Sequence, residues 1–282
     1  MTFSSKLSVT TAALAALGLL ALAPHSAQAQ TTIVAFDEAS NYSNNSQIET
    51  LNGGFGFASA FVGSGGGGDF LNTASSNANG SGGGIDSSNN RSFGLYSGSN
   101  EGRTLSRSFS APLTVGGTFS LGFDNGYVDF GRSDNVFLGS AVNPQLIQFG
   151  FVGGSDYKFN GIDTGLNYTP DGLNVVFTLT DATHYTLKAT ELNGGSTFTS
   201  AATLLPTGTS LDRFSAQNSS NTNGGSDHDF FVNKFQVTAA SAAPEPSQLA
   251  GLGFAAFGVL GLLLKARKRT SSPAPAATIW GS

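Results

Sequence analysis

The chain has 282 residues, with 13 Lys and Arg against 18 Asp and Glu, and no cysteine. Charged residues make up 11% of it and 38 residues are glycine, against about 25% charged and about 7% glycine in an average domain. These figures exclude a disulfide scaffold or cysteine-ligated zinc site, a basic nucleic-acid-binding face, and a long helical protein, whose Ala, Glu, Lys and Leu are replaced here by Gly, Ser, Asn and Thr. What remains is a glycine-rich all-β protein.

Residues 1–29 read as a secretory signal peptide. Lys6 gives the positive start, residues 10–23 are almost wholly apolar and rich in Ala and Leu, and Ala27-Gln28-Ala29 sets small residues where a signal peptidase reads. Cleavage is expected after Ala29, at the end of an apolar signal helix. The mature chain is then exported, and about 200 residues bury enough surface to fold without disulfides.

Residues 30–240 form the body. They carry 8 basic against 17 acidic residues, a net of −9, which argues against nucleic acid or anionic headgroups as partners and is compatible with neutral glycans or cations. Residues 63–84 are a low-complexity, glycine-rich stretch that reads as a loop. A phosphate cradle would need a strand before it, a helix after it and usually a Lys, so nucleotide binding is rejected. Period-2 alternation marks strands over 118–124, 174–181, 184–190 and, less cleanly, 232–237, each with one face in a core. Asp124-Asn125-Gly126, Pro170-Asp171-Gly172 and Asn193-Gly194-Gly195 are tight-turn signals, and Asp181-Ala182-Thr183 joins two alternating runs as a hairpin. Many short strands in polar loops, with no fixed-period repeat, predict an antiparallel two-sheet sandwich. Most of the 23 Phe residues sit on the apolar phase and belong to its core.

The body offers little catalytic chemistry. Retaining glycoside hydrolysis needs two carboxyl groups about 5 Å apart, and Glu38, Glu49, Glu101 and Glu191 are too scattered to form such a pair on one strand. Asp124 and Asp129 flank the Asn-Gly turn, where turn chemistry explains them. There is no Gly-x-Ser-x-Gly elbow. No catalytic residue is assigned and the protein is read as a non-enzyme. In Asp227-His228-Asp229, alternate residues would turn two carboxylates toward a cation. Ca²⁺ takes six to eight oxygens, and Asn221, Asn223 and Ser226 are near in sequence. A solvated loop before the last strand accounts for the same residues, so no cofactor is required. For glycan stacking the body has no Trp; the candidates are Tyr42, Tyr96, Tyr127, Tyr157, Tyr168 and Tyr185.

Residues 241–269 form a tripartite tail: a small-residue linker into Pro244-Glu245-Pro246, the apolar run 249–264, and Lys265-Ala266-Arg267-Lys268-Arg269. At 1.5 Å per residue the run covers about 24 Å, enough for a single transmembrane helix when Ser247 and Gln248 are included. Lys265, Arg267, Lys268 and Arg269 act as the membrane stop and stay cytoplasmic, which puts the body outside. This tail resembles the PEP-CTERM sorting domain of Gram-negative bacteria. The resemblance implies processing near Pro244-Glu245-Pro246 by a membrane-embedded exosortase-type enzyme, and company with exopolysaccharide and biofilm matrix. Pro-x-Pro holds the backbone extended and free of internal hydrogen bonds, as a processing enzyme requires. Residues 270–282, a disordered Pro/Ala-rich tail, run further past the basic cluster than such domains usually do.

A second resemblance lies in the body. Arg91-Ser92-Phe93-Gly94-Leu95-Tyr96, Ser106-Arg107-Ser108-Phe109, the run from Leu113 to Ser120, Phe149-Gly150-Phe151-Val152-Gly153-Gly154 and Asp171-Gly172-Leu173-Asn174-Val175 are similar to an uncharacterised group of secreted bacterial β-sandwich proteins. It implies a concanavalin-like jelly roll over about residues 34–238 and brings no catalytic residues. The expectation is an exported protein, anchored transiently in the inner membrane and then released to the cell surface or extracellular matrix, associated with exopolysaccharide. A lectin-like carbohydrate-binding module, Ca²⁺-dependent through Asp227 and Asp229, is the alternative. A polysaccharide-degrading enzyme stands third.

Overall fold

A computed structural model describes residues 31–43, 47–80, 84–219 and 225–240. The signal peptide, the sorting tail and residues 270–282 lie outside the described residues, as do Asn221 and Asn223. Among the described residues, no helix is long and apolar enough to cross a membrane.

The described chain is mostly strand. In order these are β1 (Thr31–Asp37), β2 (Val62–Gly65), β3 (Gly68–Phe70), β4 (Phe93–Tyr96), β5 (Arg103–Ser108), β6 (Thr118–Asn125), β7 (Ser133–Gly139) and β8 (Ile147–Val152). There follow β9 (Tyr157–Phe159), β10 (Ile162–Asp163), β11 (Leu173–Leu179), β12 (His184–Glu191), β13 (Thr197–Thr199), β14 (Thr203–Leu204), β15 (Arg213–Ser219) and β16 (Phe230–Ala240). One helical turn, α1 (Ser76–Asn79), and two 3₁₀ turns at Ala39–Asn41 and Ser226–His228 complete the inventory. The first sheet has nine strands in the order β13-β12-β11-β6-β16-β4-β3, with β1 also on β16 and β14 on β12. The second has seven, β10-β9-β8-β7-β15-β5-β2. Every pairing is antiparallel. The all-β, two-sheet reading therefore holds.

Alternation places the core as expected. Phe119 of β6 stands opposite Phe177 of β11, and both are buried. Phe214 of β15, in the second sheet, stacks on Phe119 at 5.1 Å and on Phe235 of β16 at 4.5 Å. The untidy alternation in β16 has a cause. Its register against β6 shifts between Asn233 and Gln236, and Lys234 has φ 54°, so a bulge resets the inward phase from Val232 to Phe235. The buried Asn233 fills the irregularity, its Nδ2 donating to the carbonyls of Ile85 and Arg91 (both 3.0 Å) and its Oδ1 accepting from Ala39 N at 2.9 Å.

Three readings need correction. Residues 63–84 are more than a loop, since β2, β3 and α1 all touch this stretch. β2 belongs to the second sheet and β3 to the first, so the chain crosses between sheets through just two residues, Gly66 and Gly67. Gly65 and Gly67 both have φ 91°, and a Cβ would sit 1.9 Å from Gly102 O at the first and 2.2 Å from Tyr96 O at the second. Only glycine fits there. Next, Asp124-Asn125-Gly126 is not a hairpin turn: β6 runs through Asn125, and β7 lies in the other sheet. The Asp181-Ala182-Thr183 hairpin does form, with Thr180 N bonded to His184 O at 2.9 Å and Asp181 Oδ1 accepting from Thr183 N at 2.7 Å.

Last, the first sheet is not wholly one-sided. Ile85, Ala78 and Phe231 pack with Phe70 into a small cluster separate from the main core. Gly122 lies beneath it, since a Cβ there would meet Ile85 Cβ at 2.7 Å. Residues 71–80 and 84–92 thus cover the outer face of β6, whose polar phase the sequence would leave to solvent.

Candidate functional site

The connection from β6 to β7 is a short turn braced on two sides. Gly126 N and Tyr127 N donate to the carbonyls of Asp229 (3.0 Å) and Asp227 (2.7 Å), fastening it to the Ser226–His228 turn. Gly131 N donates to Gly153 O at 3.1 Å and Gly153 N to Arg132 O at 3.0 Å, fastening it to the β8–β9 connection. Arg132 N closes the turn on Asp129 O at 2.9 Å. With its backbone committed in this way, the segment turns two aromatic rings outward. Tyr127 is 61% exposed and Phe130 87%. Phe130 lies over Gly154, where a Cβ would come within 2.4 Å of the ring.

These rings border a cleft of about 520 Å³, within the range of small-ligand sites. Ala78 and Asn79 of α1 line it, as do Phe151 and Tyr168, which meet edge to face at 5.7 Å. Asn79 is held from behind, its Nδ2 donating to Asp124 Oδ1 at 3.0 Å and to Pro170 O at 3.1 Å. Burial raises the Tyr168 hydroxyl above its ordinary pKa and the charge of Asp124 adds to this, while a hydrogen bond with Asn79 opposes it. At the rim, His228 meets Tyr127 edge-on at 5.3 Å between Asp129 (3.4 Å from Nε2) and Asp227 (3.1 Å from Nδ1). Such a site can stack the apolar face of a ligand on aromatic rings while amide and hydroxyl groups contact its polar edge.

Of the six candidate tyrosines, two line the cleft, Tyr127 and Tyr168. Tyr157 is buried and donates to Asn125 Oδ1 at 2.9 Å. Tyr42 is tied to Asp37 and accepts from Gly53 N at 2.8 Å, and Tyr185 accepts from Asn160 at 2.8 Å. Tyr96 stands beside Phe70 at 6.2 Å. Phe130 is absent from the sequence candidates because the sequence placed most Phe residues in the core and sought stacking rings among the tyrosines. The braced turn sends it outward instead, and only the neighbouring Asp129, Gly131 and Gly126 hinted at a turn. Asp124 and Asp129, considered as a pair, have separate surroundings: Asp124 is buried against Asn79, and Asp129 faces His228.

Asp227 and Asp229 are not presented as neighbours on a strand face, because Ser226–His228 forms a 3₁₀ turn. The Asp227 side chain is 67% exposed and bonds to His228, whereas Asp229 is buried. Among the described residues, no three of His, Cys, Asp and Glu gather as a metal site.

Burial pushes the Asp229 carboxyl up to about 7, the charge of Asp227 adds to this, and His228 opposes it. Asp134, fully buried on β7, is also raised by burial, with Asp229 contributing. An unfolded Asp titrates near 3.9, so between about pH 4 and 7 the folded state holds a proton on Asp229 that the unfolded chain has released. Stability then falls as pH rises through that window. The melting temperature should be higher at pH 5 than at pH 7.5, and Asp229→Asn should flatten that slope by roughly one proton. Asp181, lowered to about 2 by a backbone hydrogen bond from Thr183 and then by His184, titrates below this range. A melting temperature that climbs from pH 5 to 7.5 would contradict the assignment.

No protein-family model matches the chain, and neither does any curated protein. Among solved structures it is similar to a Shewanella oneidensis protein of unknown function, at 13% identity over 86% of this chain and 99% of that one, with a TM-score of 0.42. It is similar also to the receptor-binding domain of a botulinum neurotoxin C/D mosaic serotype (12% identity, 78% and 51% covered, TM-score 0.45). A third is domain 4 of an extracellular arabinanase from Geobacillus stearothermophilus, solved with arabinotriose (13%, 79% and 98%, 0.40). The chain spans about half the length of the toxin domain. These are likenesses of fold alone.

Proposed function

We propose that the chain is an exported surface or matrix protein whose sandwich, a concanavalin-like jelly roll, binds carbohydrate in the cleft between α1 and the β6–β7 connection. The observation that carries this is the pair of exposed rings, Tyr127 and Phe130, held out over a concave surface by a hydrogen-bonded turn. Burying a ring is worth about 2 to 3 kcal/mol, so a rigidly presented, uncovered Phe suits a ligand that covers it. Among the described residues no basic side chain lines the cleft, and the body is acidic, which favours a neutral, hydroxyl-rich ligand over a phosphate or sulfate. The jelly-roll reading is supported by the arching of the chain: β4 and β5, β6 and β7, and β15 and β16 each fall in opposite sheets. Export and retention rest on the residues of the two ends, Ala27 and Ala29 at the signal and Pro244, Glu245 and Pro246 before the apolar run.

The test is binding of the purified chain to an array of neutral oligosaccharides and to cell-free exopolysaccharide. Phe130→Ala and Tyr127→Ala should each weaken binding about tenfold, equivalent to about 1.4 kcal/mol, with the melting temperature unchanged. Phe55→Ala, which also removes an exposed ring, should leave binding intact. Absence of glycan binding, or binding indifferent to both cleft variants, would refute the lectin reading. Sorting is read separately: with Pro244, Glu245 and Pro246 replaced by Ala, full-length protein should accumulate in the membrane fraction, and unchanged release would make the motif a mere linker.

A further inference from the structure

The residues that line the cleft are unevenly equipped for hydrogen bonding. Asn79 Nδ2 donates to Asp124 Oδ1 at 3.0 Å and to Pro170 O at 3.1 Å. Both partners are acceptors, so the orientation of the amide is fixed and its two hydrogens are spent on the protein. The carbonyl oxygen, which has two lone pairs, is then the atom with which Asn79 meets a ligand. The backbone opposite is committed in the same way, since Gly126 N and Tyr127 N are given to Asp229 O and Asp227 O at 3.0 and 2.7 Å. Among the described residues that line the cleft, the remaining polar side chains are Tyr127 and Tyr168, whose hydroxyls can donate or accept.

Burial divides the apolar lining into two parts. Tyr127 and Phe130 are exposed and form the rim, whereas Ala78, Val128 and Phe151 line the cleft yet are only 7%, 4% and 8% exposed, and so form its floor. A sugar hydroxyl set on that floor would lose its water and find no partner there. A methyl group set on it gains by burial. The cleft therefore selects a substituent with a methyl for the floor and a donor for Asn79. An acetamido group carries both, one carbonyl apart, and that carbonyl can accept from a tyrosine hydroxyl. A ring hydroxyl has the donor without the methyl, and an O-acetyl ester has the methyl without the donor.

We infer that the cleft is selective for N-acetylated amino sugars, with Asn79 as the residue that makes the distinction. Its carbonyl oxygen accepts the acetamido N–H, Ala78, Val128 and Phe151 receive the methyl, and Tyr127 and Phe130 stack on the sugar ring. The inference rests on the carbohydrate reading above and narrows it from neutral glycans in general to acetylated ones. A free amine in place of the acetamido group fits poorly, although Asp129 and Asp227 stand at the rim, because it would set a charge on an apolar floor.

The experiment measures binding of the purified full-length chain to oligosaccharides that differ only in this substituent. Chito-oligosaccharide is compared with its de-N-acetylated form and with cello-oligosaccharide, and N-acetylgalactosamine oligomers with galactose oligomers. In at least one series the acetamido member should bind about tenfold tighter or more than its hydroxyl and amine counterparts. Asn79→Ala should lower binding of the acetamido member and leave the hydroxyl member unchanged, whereas Phe130→Ala should weaken both alike. Should Asn79→Ala fail to fold, the O-acetyl analogue on the unaltered chain makes the same decision, since it keeps the methyl and should lose most of the gain. Glycan binding with no preference for the acetamido member, or with an equal preference for the amine, overturns this inference and leaves the carbohydrate reading standing. Absence of binding to every glycan removes that reading and this inference with it.

Discussion

Replacing Arg107 by methionine is expected to destabilise the sandwich by about 3 to 5 kcal/mol, the usual cost of stripping a buried charge of its partner. Arg107 projects inward from β5, is 2% exposed, and pairs with the carboxylate of Asp37 on β1, in the opposite sheet. Its other donors are satisfied, Nε by Ser59 O at 2.8 Å and one terminal nitrogen by Asn52 Oδ1 at 2.7 Å and Gly53 O at 3.0 Å. The guanidinium also lies 4.2 Å from the ring centre of Phe57 and 4.7 Å from that of Phe61, an added cation–π attraction. Methionine keeps most of the volume and leaves Asp37 buried without a cation. Lysine should not rescue the variant, because a point charge cannot reproduce the planar fork. Replacing Asp37 as well, by leucine, should recover part of the loss, since a buried pair exchanged for apolar residues is often neutral. Chemical denaturation of the single and double variants measures this. A loss under about 1 kcal/mol in the single variant would mean that the pair contributes little to joining the sheets. Arg103, two inward positions earlier, pairs with Asp69 and with Glu49, whose side chain is 43% exposed. Removal of Glu49 should therefore matter far less.

Phe119→Ala is expected to cost about 3 to 5 kcal/mol, the range for a large aromatic lost from a packed core, out of a net stability of about 5 to 15. The ring touches both sheets: Phe177 at 6.1 Å within its own, Phe214 at 5.1 Å across the sandwich, and Phe109 at 5.2 Å. Its collapse would disturb several of these stacked partners at once. Ser120→Ala and Thr178→Ala, on the opposite phase, should cost under about 1 kcal/mol. Gly122→Val should break that rule despite lying on the same phase as Ser120, because the new side chain meets Ile85. Equal losses at Phe119 and Ser120 in an equilibrium denaturation series would refute the inward assignment of β6.

The candidate site was only partly legible before the fold was known. Tyr127 and Tyr168 stood among six equivalent tyrosines, and residue type could not rank them because each has a ring and a hydroxyl. Their selection comes from which loops meet at one cleft. Phe130 was passed over because most Phe residues were placed in the core from their apolar phase, while its exposure depends on hydrogen bonds from Gly131 and Gly153 to residues far along the chain. The support behind Asn79, which bonds to the buried Asp124, carries no spacing rule, because residues 71–80 and 84–92 fold over β6 in a contact with no periodic signature. Conversely, Asp227-x-Asp229 looked like a pair on strand geometry, and a 3₁₀ turn removes that geometry.

What the residues determined by themselves is local. Alternation of small or polar with apolar side chains marks β6, β11 and β12, because successive side chains on a strand point to opposite faces whatever the strand pairs with. Asp181 and Gly194 specify their hairpins for a similar reason, since a side-chain cap and a positive φ act within a few residues. Which sheet a strand joins is not local. The Gly65–Gly68 crossing, the separation of β6 from β7, the bulge at Lys234 and the inward arginines of β5 depend on partners distant in sequence, whose backbone and charge decide what the space beside each residue will accept. Only the closed sandwich supplies those partners, so it alone decided which polar residues were buried and which aromatic rings were left exposed.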